Sequence, residues 1–229
     1  MQVNGWDEAL ITYVMAASST THTIPKAVYD NGWALNGAMK NGKTFYGVAL
    51  PLGPDQGGPL FFAHYSFCGL DPHGLSDTHA DYWKQNVAQT QVNRAHCIAN
   101  PGGFAGYSAE CWGLTASDDP SGYDAHAPGN DNGTISPTAA LSSFPYAPEA
   151  AMRALRHFLK KKNVWSRYGF IDAFNETRGW TADTYLAIDQ GPIVVMIENY
   201  RSGLLWNLFM AVPEVQRGLR KLGFTSPHL

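Results

Sequence analysis

The sequence predicts an all-α protein made of helical hairpins set in a ring, and three observations carry that prediction. Apolar residues recur at helical spacing in segment after segment. Segments that are apolar nearly all round alternate with segments that carry a single apolar stripe, as inner and outer helices of a ring would. Gly, Pro and Asn gather in the connections between them. No sequence repeat accompanies the alternation, which disfavours a stacked solenoid. The chain, 229 residues taken as one domain over 1–229, is long enough to bury roughly 70% of its unfolded surface without disulfide staples.

The first helix is predicted over Trp6–Ala17, which contains neither Pro nor Gly. It places Trp6, Ala9, Leu10, Tyr13, Val14 and Ala17 on one side and Ile11 and Met15 on the other, a pattern that belongs in the middle of a domain rather than at a fraying end. Its first charges are Asp7 and Glu8, so it lacks the basic leader of a signal peptide, and it is too short to span a bilayer. Its hairpin partner is predicted over Pro25–Asn36. Next come an apolar helix over Leu60–Leu70 and a more polar one over Thr78–Ile98, in which Trp83, Val87 and Ile98 face inward. A helix near Ala109–Ser117 follows. Ser136–Phe144 pairs with Pro148–Lys162, a surface helix that opens with Pro and Glu, closes with lysines and aligns Met152, Leu155, Phe158 and Leu159. Pro192–Arg201, apolar at its start, pairs with Gly203–Leu222. This makes four or five hairpins.

Composition narrows the function. A net charge of −3, with no basic run longer than Lys160–Lys162, gives no nucleic-acid footprint and no membrane-surface patch. Cys68, Cys97 and Cys111 are odd in number and lack C-x-x-C spacing, so they read as packed thiols. Only 15% of residues are charged, beside seven Trp, eleven Tyr and eleven Phe. Aromatic rings with Asn, Asp and His in loops suit sugar recognition, since a pyranose face stacks on rings while its hydroxyls need fixed polar partners. The long connection Ser117–Thr134, rich in Asp with a Tyr and a His, is expected to be functional. It lacks the alternating carboxylates and terminal Glu of a calcium loop, so no metal site is expected. No H-E-x-x-H, P-loop or G-x-S-x-G occurs, and Gly106–Glu110 misses the last of these at its final position. Carboxylates remain as the reactive groups. Glycoside cleavage needs two, and the candidates are Asp7, Glu8, Glu110, Asp118, Asp119, Asp189 and Glu198. Each also has a structural reading: Asp7 and Glu8 as first-turn acids, Asp189 as a helix cap before Pro192, Glu198 as a paired buried acid.

Six stretches in order, WDEALITYVMAASSTTHTIP, GGPLFFAHYSFCGLDP, VNRAHCIANP, ECWGLTASDDPSGYDAHAP, GTISPTAALSSFPYAPEAAM and LAIDQGPIVVMIENYRSGLLWNLFM, resemble the glycoamylase-like domain of glycoside hydrolase family 144. That domain is related to the hydrolase-like domain of cyclic β-1,2-glucan synthases. The resemblance implies an (α/α)6 toroid, inverting hydrolysis of β-1,2-glucan, no cofactor and, in bacteria, export to the periplasm. Older descriptions of such proteins as glucoamylases would instead imply α-glucan. The resemblance makes Glu8 the expected catalytic acid and proton donor. Substrate contacts are expected from the motifs that put polar and aromatic groups together, Trp6, His64, Tyr65, Arg94, Glu110, Trp112, Asp118, His126 and Asp189, with a sugar stacked on Trp112 and with Glu8, Glu110, Trp112, Asp118 and Asp189 converging at one end of the ring. The partner is then an oligo- or polysaccharide, with a non-catalytic carbohydrate-binding module or a transglycosylating domain as alternatives. The family's early hairpins and their D-x-x-E motif have no counterpart ahead of Glu8. The chain is therefore expected to be the C-terminal two-thirds of the toroid, inactive or nearly so by itself.

Overall fold

The computed structural model describes residues 3–229, and it is helix-rich with four small two-stranded antiparallel sheets rather than purely helical. Helix α1 spans Leu10–Ser18, and Asp7 prepares its start by accepting from the Ala9 amide (2.8 Å) and from the Trp33 indole (2.8 Å). Its buried residues Leu10, Val14, Ala17 and Ser18 face the last helix of the chain, α8 (Pro213–Leu222), not the predicted hairpin partner. The reason is steric. Gly218 has no side chain, so Ser18 packs directly on the α8 backbone, with its Oγ only 2.3 Å from where a Cβ would stand. Arg217 Nη2 then donates to the Ser18 carbonyl at 3.3 Å. Helix α2 is short, Lys26–Asn31. Met15 is half exposed, so α1 is buried on one side only.

The predicted helix over Leu60–Leu70 forms two 3-10 turns, Leu60–Ala63 and Ser66–Cys68. Helix α3, Tyr82–Ala99, is capped by Asp81, which accepts from the Lys84 amide (3.0 Å). It inverts the expected polarity. Ile98 is 47% exposed and Trp83 and Val87 are half-buried, while Gln85, Asn86, Gln89 and Asn93 are fully buried. Their amides satisfy the backbone of loops packed on the helix. Gln85 exchanges bonds with both backbone groups of Leu52 (2.7 and 3.4 Å), Gln89 donates to the Gly57 and Pro59 carbonyls (2.6 and 3.0 Å), and Asn93 exchanges bonds with Leu114 (3.0 Å each). Spacing of four puts 85, 89 and 93 on one helix face, so one polar stripe lets irregular chain be buried without orphaned backbone groups.

No helix forms near Ala109–Ser117. The chain bends at 109–111 and is irregular to 115, and Ala116–Asp119 is strand β3, paired with β4 (Gly122–Ala125). The other hairpins are β1 (Thr44–Phe45) with β2 (Val48–Ala49), β5 (Trp165–Ser166) with β6 (Gly169–Phe170), and β7 (Phe174–Asn175) with β8 (Trp180–Thr181). Helix α4, Pro137–Leu141, packs on α5, Pro148–Phe158, and on α6, Ala187–Ser202. Gly113 lies against the start of α4 at φ +131°, where a Cβ would meet Ala139 Cβ at 2.9 Å and Ala140 N at 3.0 Å. Helix α6 starts five residues before the predicted Pro192, which sits inside its second turn. The predicted Gly203–Leu222 helix is broken before Pro213 into α7 (Leu204–Met210) and α8. One apolar core joins α1, α2 and α8 around Trp6, Trp33, Phe67 and Tyr82, and a second gathers Trp112, Leu141, Phe158 and Phe174. All three cysteines are free, and among the described residues no helix is long and apolar enough to cross a membrane.

Candidate active site

Three aspartates from separate elements meet where β3, the segment after β6 and the first turn of α6 come together. Asp118 lies in β3, Asp172 between β6 and β7, and Asp189 is the third residue of α6. Hydroxyls at the start of α4 hold the backbone of two of them: Ser136 Oγ, at its N-cap, donates to the Asp172 carbonyl (2.6 Å) and Thr138 Oγ1, in its first turn, to the Asp189 carbonyl (2.8 Å). The Asp118 amide donates to Asp172 Oδ2 at 2.7 Å, and Thr184 donates to Asp118 Oδ2. Tyr65, in the turn between the two 3-10 segments, reaches Asp189 Oδ1 at 3.5 Å. Its ring stacks on Phe61 with centroids 5.1 Å apart.

The carboxyls of Asp172 and Asp189 face each other within hydrogen-bonding reach. Asp172 Oδ1 and Asp189 Oδ2 are buried and have no hydrogen-bond partner among the described residues. Two carboxylates that close cannot both ionise, so the pair retains a proton. Burial is the larger cause and the neighbouring Asp172 the next, and together they push Asp189 up to about 8. Asp172 is raised as well, by burial, against the opposing pull of the Asp118 amide. The amino end of α6 favours a carboxylate at Asp189 by about 0.3–1 kcal/mol, too little to reverse a shift of this size. A carboxylic acid that keeps its proton at neutral pH can donate it to a leaving group. Tyr123, opposite Asp118 in the hairpin register and 56% exposed, stands over the trio, and the three carboxyls raise its hydroxyl after burial does.

Of the residues expected to contact substrate, Tyr65, Asp118 and Asp189 come together here. Glu8 is exposed ahead of α1, its carbonyl accepting from Ser66, the residue after Tyr65. Trp6 and Trp112 do not offer rings to a ligand. Trp6 is 4% exposed in the first core, its indole donating to Gln89 Oε1 (2.7 Å), and Trp112 is 0% exposed in the second, so stacking of a sugar on Trp112 is excluded by its burial. His64 is buried against Ser143 (2.9 Å), whose own hydroxyl donates to the Ala139 carbonyl. His64 Nε2 is therefore the donor, and burial depresses the imidazole to about 3, which keeps it neutral. Arg94 fastens the Ala109 carbonyl through Nε and Nη2 (3.3 and 3.1 Å), with exposed Glu110 nearby, beside a cavity of about 450 Å³ that none of the three aspartates lines. His126 is buried behind the β3–β4 hairpin. The expected convergence of Glu110 and Trp112 with the acids is thus replaced by a narrower cluster. Asp189 is no cap for a helix at Pro192, because α6 has already begun, and Glu198 is a surface acid paired with Arg201 (3.3 Å).

Asp172 and Tyr123 are not among the residues that the sequence singles out. A lone acid inside the apolar run GFIDAF was the available signal for Asp172, since burial without a cation partner raises a carboxyl. Tyr123 carried none beyond its place in an Asp-rich connection.

Residues 1–213 match the glycoamylase family, described as "Putative glucoamylase". A solved structure from Bacteroides uniformis, a "putative glucoamylase", superposes with TM-score 0.97 at 58% identity over 100% of this chain and 56% of its own. An endo-β-1,2-glucanase from Chitinophaga pinensis, solved with sophorotriose and glucose, gives TM-score 0.96 at 55% identity over 99% of this chain and 56% of its own. An exo β-1,2-glucooligosaccharide sophorohydrolase (non-reducing end) from Parabacteroides distasonis is 44% identical over 95% of this chain and 33% of its own length. The chain thus spans about half the length of the solved relatives and a third of the Parabacteroides enzyme. With the family matched along nearly the whole sequence, this chain belongs to the glycoamylase family.

Proposed function

We propose that this chain carries the acid and base carboxyls of a glycoside hydrolase site acting on β-1,2-glucan. The observation that carries the reading is the buried Asp172–Asp189 pair, whose burial and mutual proximity raise both carboxyls, at a site ringed by Tyr65, Tyr123 and Thr184. Asp189 protonates the departing glycosidic oxygen, and Asp172 holds that proton in place until it is needed. The second carboxylate is Glu8, which this reading makes the base in place of the proton-donor role expected from the sequence, and its backbone is tied through Ser66 to the turn that also carries Tyr65. In inversion it activates a water on the opposite face of the sugar, across the roughly 6.5–9.5 Å such a pair requires. The β-1,2 linkage rests on the named activities of the Chitinophaga and Parabacteroides relatives. A ring of helical hairpins is the architecture we infer for the complete domain, supported by the packing of α1 on α8 and of α4 on α5 and α6.

The test is product analysis on β-1,2-glucan and on α-1,4-glucan, with the chain alone and with it replacing the matching segment of the Bacteroides uniformis relative. New reducing ends from β-1,2-glucan only, lost in Asp189→Asn and in Glu8→Gln, are expected of the chimaera. Cleavage of α-1,4-glucan instead would overturn the substrate, and redistribution of chain lengths without new reducing ends would make the domain a transglycosylase.

A further inference from the structure

The β3–β4 hairpin holds a second constellation, on its other side from the acid pair's contacts. One oxygen each of Asp119 and Asp124 and a ring nitrogen of His126 lie within 4.8 Å of one another. His126 is 1% exposed, yet neither of its ring nitrogens has a hydrogen-bond partner among the described residues. Asp119 Oδ2 is 3.8 Å from Nε2, and the Asn130 backbone also lies close enough to favour the protonated ring, though neither makes a well-formed hydrogen bond. A buried imidazole has one N–H to donate and one lone pair to share, and leaving both unused forfeits the hydration of each. The two carboxylates are already aimed. Asp119 accepts from the Ser121 amide (2.6 Å) and Asn132 Nδ2 (3.1 Å), and Asp124 from the Ala125 amide (2.7 Å) and Asn130 Nδ2 (3.1 Å), so each oxygen keeps a lone pair while its orientation is fixed.

We propose that Asp119, Asp124 and His126 form a binding site for one first-row divalent cation of the zinc type, which pins the β3–β4 hairpin. Three atoms no more than 4.8 Å apart have a common centre within about 2.8 Å of each, from the edge divided by √3. Zinc bonds to nitrogen and carboxylate oxygen are about 2.0–2.2 Å, so each ligand moves inward by about 0.7 Å, within the reach of side-chain torsions. The imidazole donor sets the class of cation, because calcium and magnesium take oxygen ligands, whereas zinc binds imidazole and carboxylate together. The site stands apart from the proton-holding pair, though Asp119 follows Asp118 directly in β3, so the cation fixes the strand that brings Asp118 to Asp172.

The experiment is titration of the metal-free 229-residue chain with Zn2+, by calorimetry and in competition with a chromophoric chelator, beside Ca2+ and Mg2+. One equivalent of Zn2+ is expected to bind, at least 100-fold tighter than either of the others, and to raise the melting temperature. Asp124→Asn, an exposed position that leaves packing alone, weakens binding at least tenfold and removes the thermal shift. His126→Asn abolishes that equivalent, and His22→Asn, at an exposed histidine elsewhere, changes nothing. No bound equivalent overturns the proposal, as does an equivalent that Asp124→Asn leaves intact, which would lie elsewhere, at Cys111, His157 and Glu176 or on surface histidines. None of these readouts depends on hydrolysis, so the cation site and the glucanase reading stand or fall separately.

Discussion

Replacing Asp172 by Asn tests whether the acid pair works as described. Asp189 is raised from 3.8 to about 8. At 1.36 kcal/mol per pH unit, a shift of about 4 units sets a ceiling of about 5 kcal/mol on the cost of ionising the pair in the folded state. The sign follows from proton counting. Between pH 4 and 8 the unfolded chain has released this proton and the folded chain has not, so stability falls as pH rises through that window and levels off above about 8. Asp172→Asn removes a charge and a carboxyl neighbour, the second and third causes of the shift, but leaves burial, the first. The Asp189 titration should therefore drop by about 1–2 units and stay above 3.8. Carboxyl carbon chemical shifts, followed against pH in protein labelled at Asp, report the titration directly. Urea unfolding at pH 5 and 9 reports the linkage, with Asp189→Asn as the variant that flattens it. A parent protein whose last Asp proton leaves near pH 4, or an Asp172→Asn variant that titrates unchanged, would refute the shared proton and with it the acid role of Asp189.

Three further outcomes are expected. Gly218→Ala sets a methyl 2.3 Å from Ser18 Oγ and 2.9 Å from Ser18 N, and should destabilise the chain by about 1–3 kcal/mol in denaturant unfolding as α1 and α8 are pushed apart. Trp112→Ala should cost about 3–5 kcal/mol of stability, and Trp112→Phe, which keeps most of the ring volume, should leave oligosaccharide affinity unchanged when measured by calorimetry. The His64 ring protons should show no titration between pH 8 and 5 by NMR. Depressed to about 3, this group opposes the acid pair: the unfolded chain gains its proton near 6.5 and the folded chain does not, so its contribution is lost as pH falls through that interval.

The sequence by itself determined what local chemistry can enforce. Helix α5 begins at Pro148 with Glu149 beside it and ends among basic residues, because an N1 proline and a first-turn acid act locally, but its buried face is Ala150, Ala151, Ala154 and Phe158, while Met152 and Leu159 of the predicted stripe are exposed. The motif resemblance located the family, and it identified Tyr65, Asp118 and Asp189 among the residues worth following. Tertiary structure decided the rest. The amide stripe of α3 looks like a solvated face in the sequence and is buried because loops at 52, 57–59 and 114 deliver backbone groups to it from a distance. The tryptophans at 6 and 112 look like sugar platforms and are core, since the apolar neighbours that enclose them come from other elements. The proton that defines the site belongs to neither Asp172 nor Asp189 alone. It exists because α6 and the segment between β6 and β7 bring two buried carboxyls, seventeen positions apart, close together, and no window of sequence contains the dielectric or the distance that sets their charge.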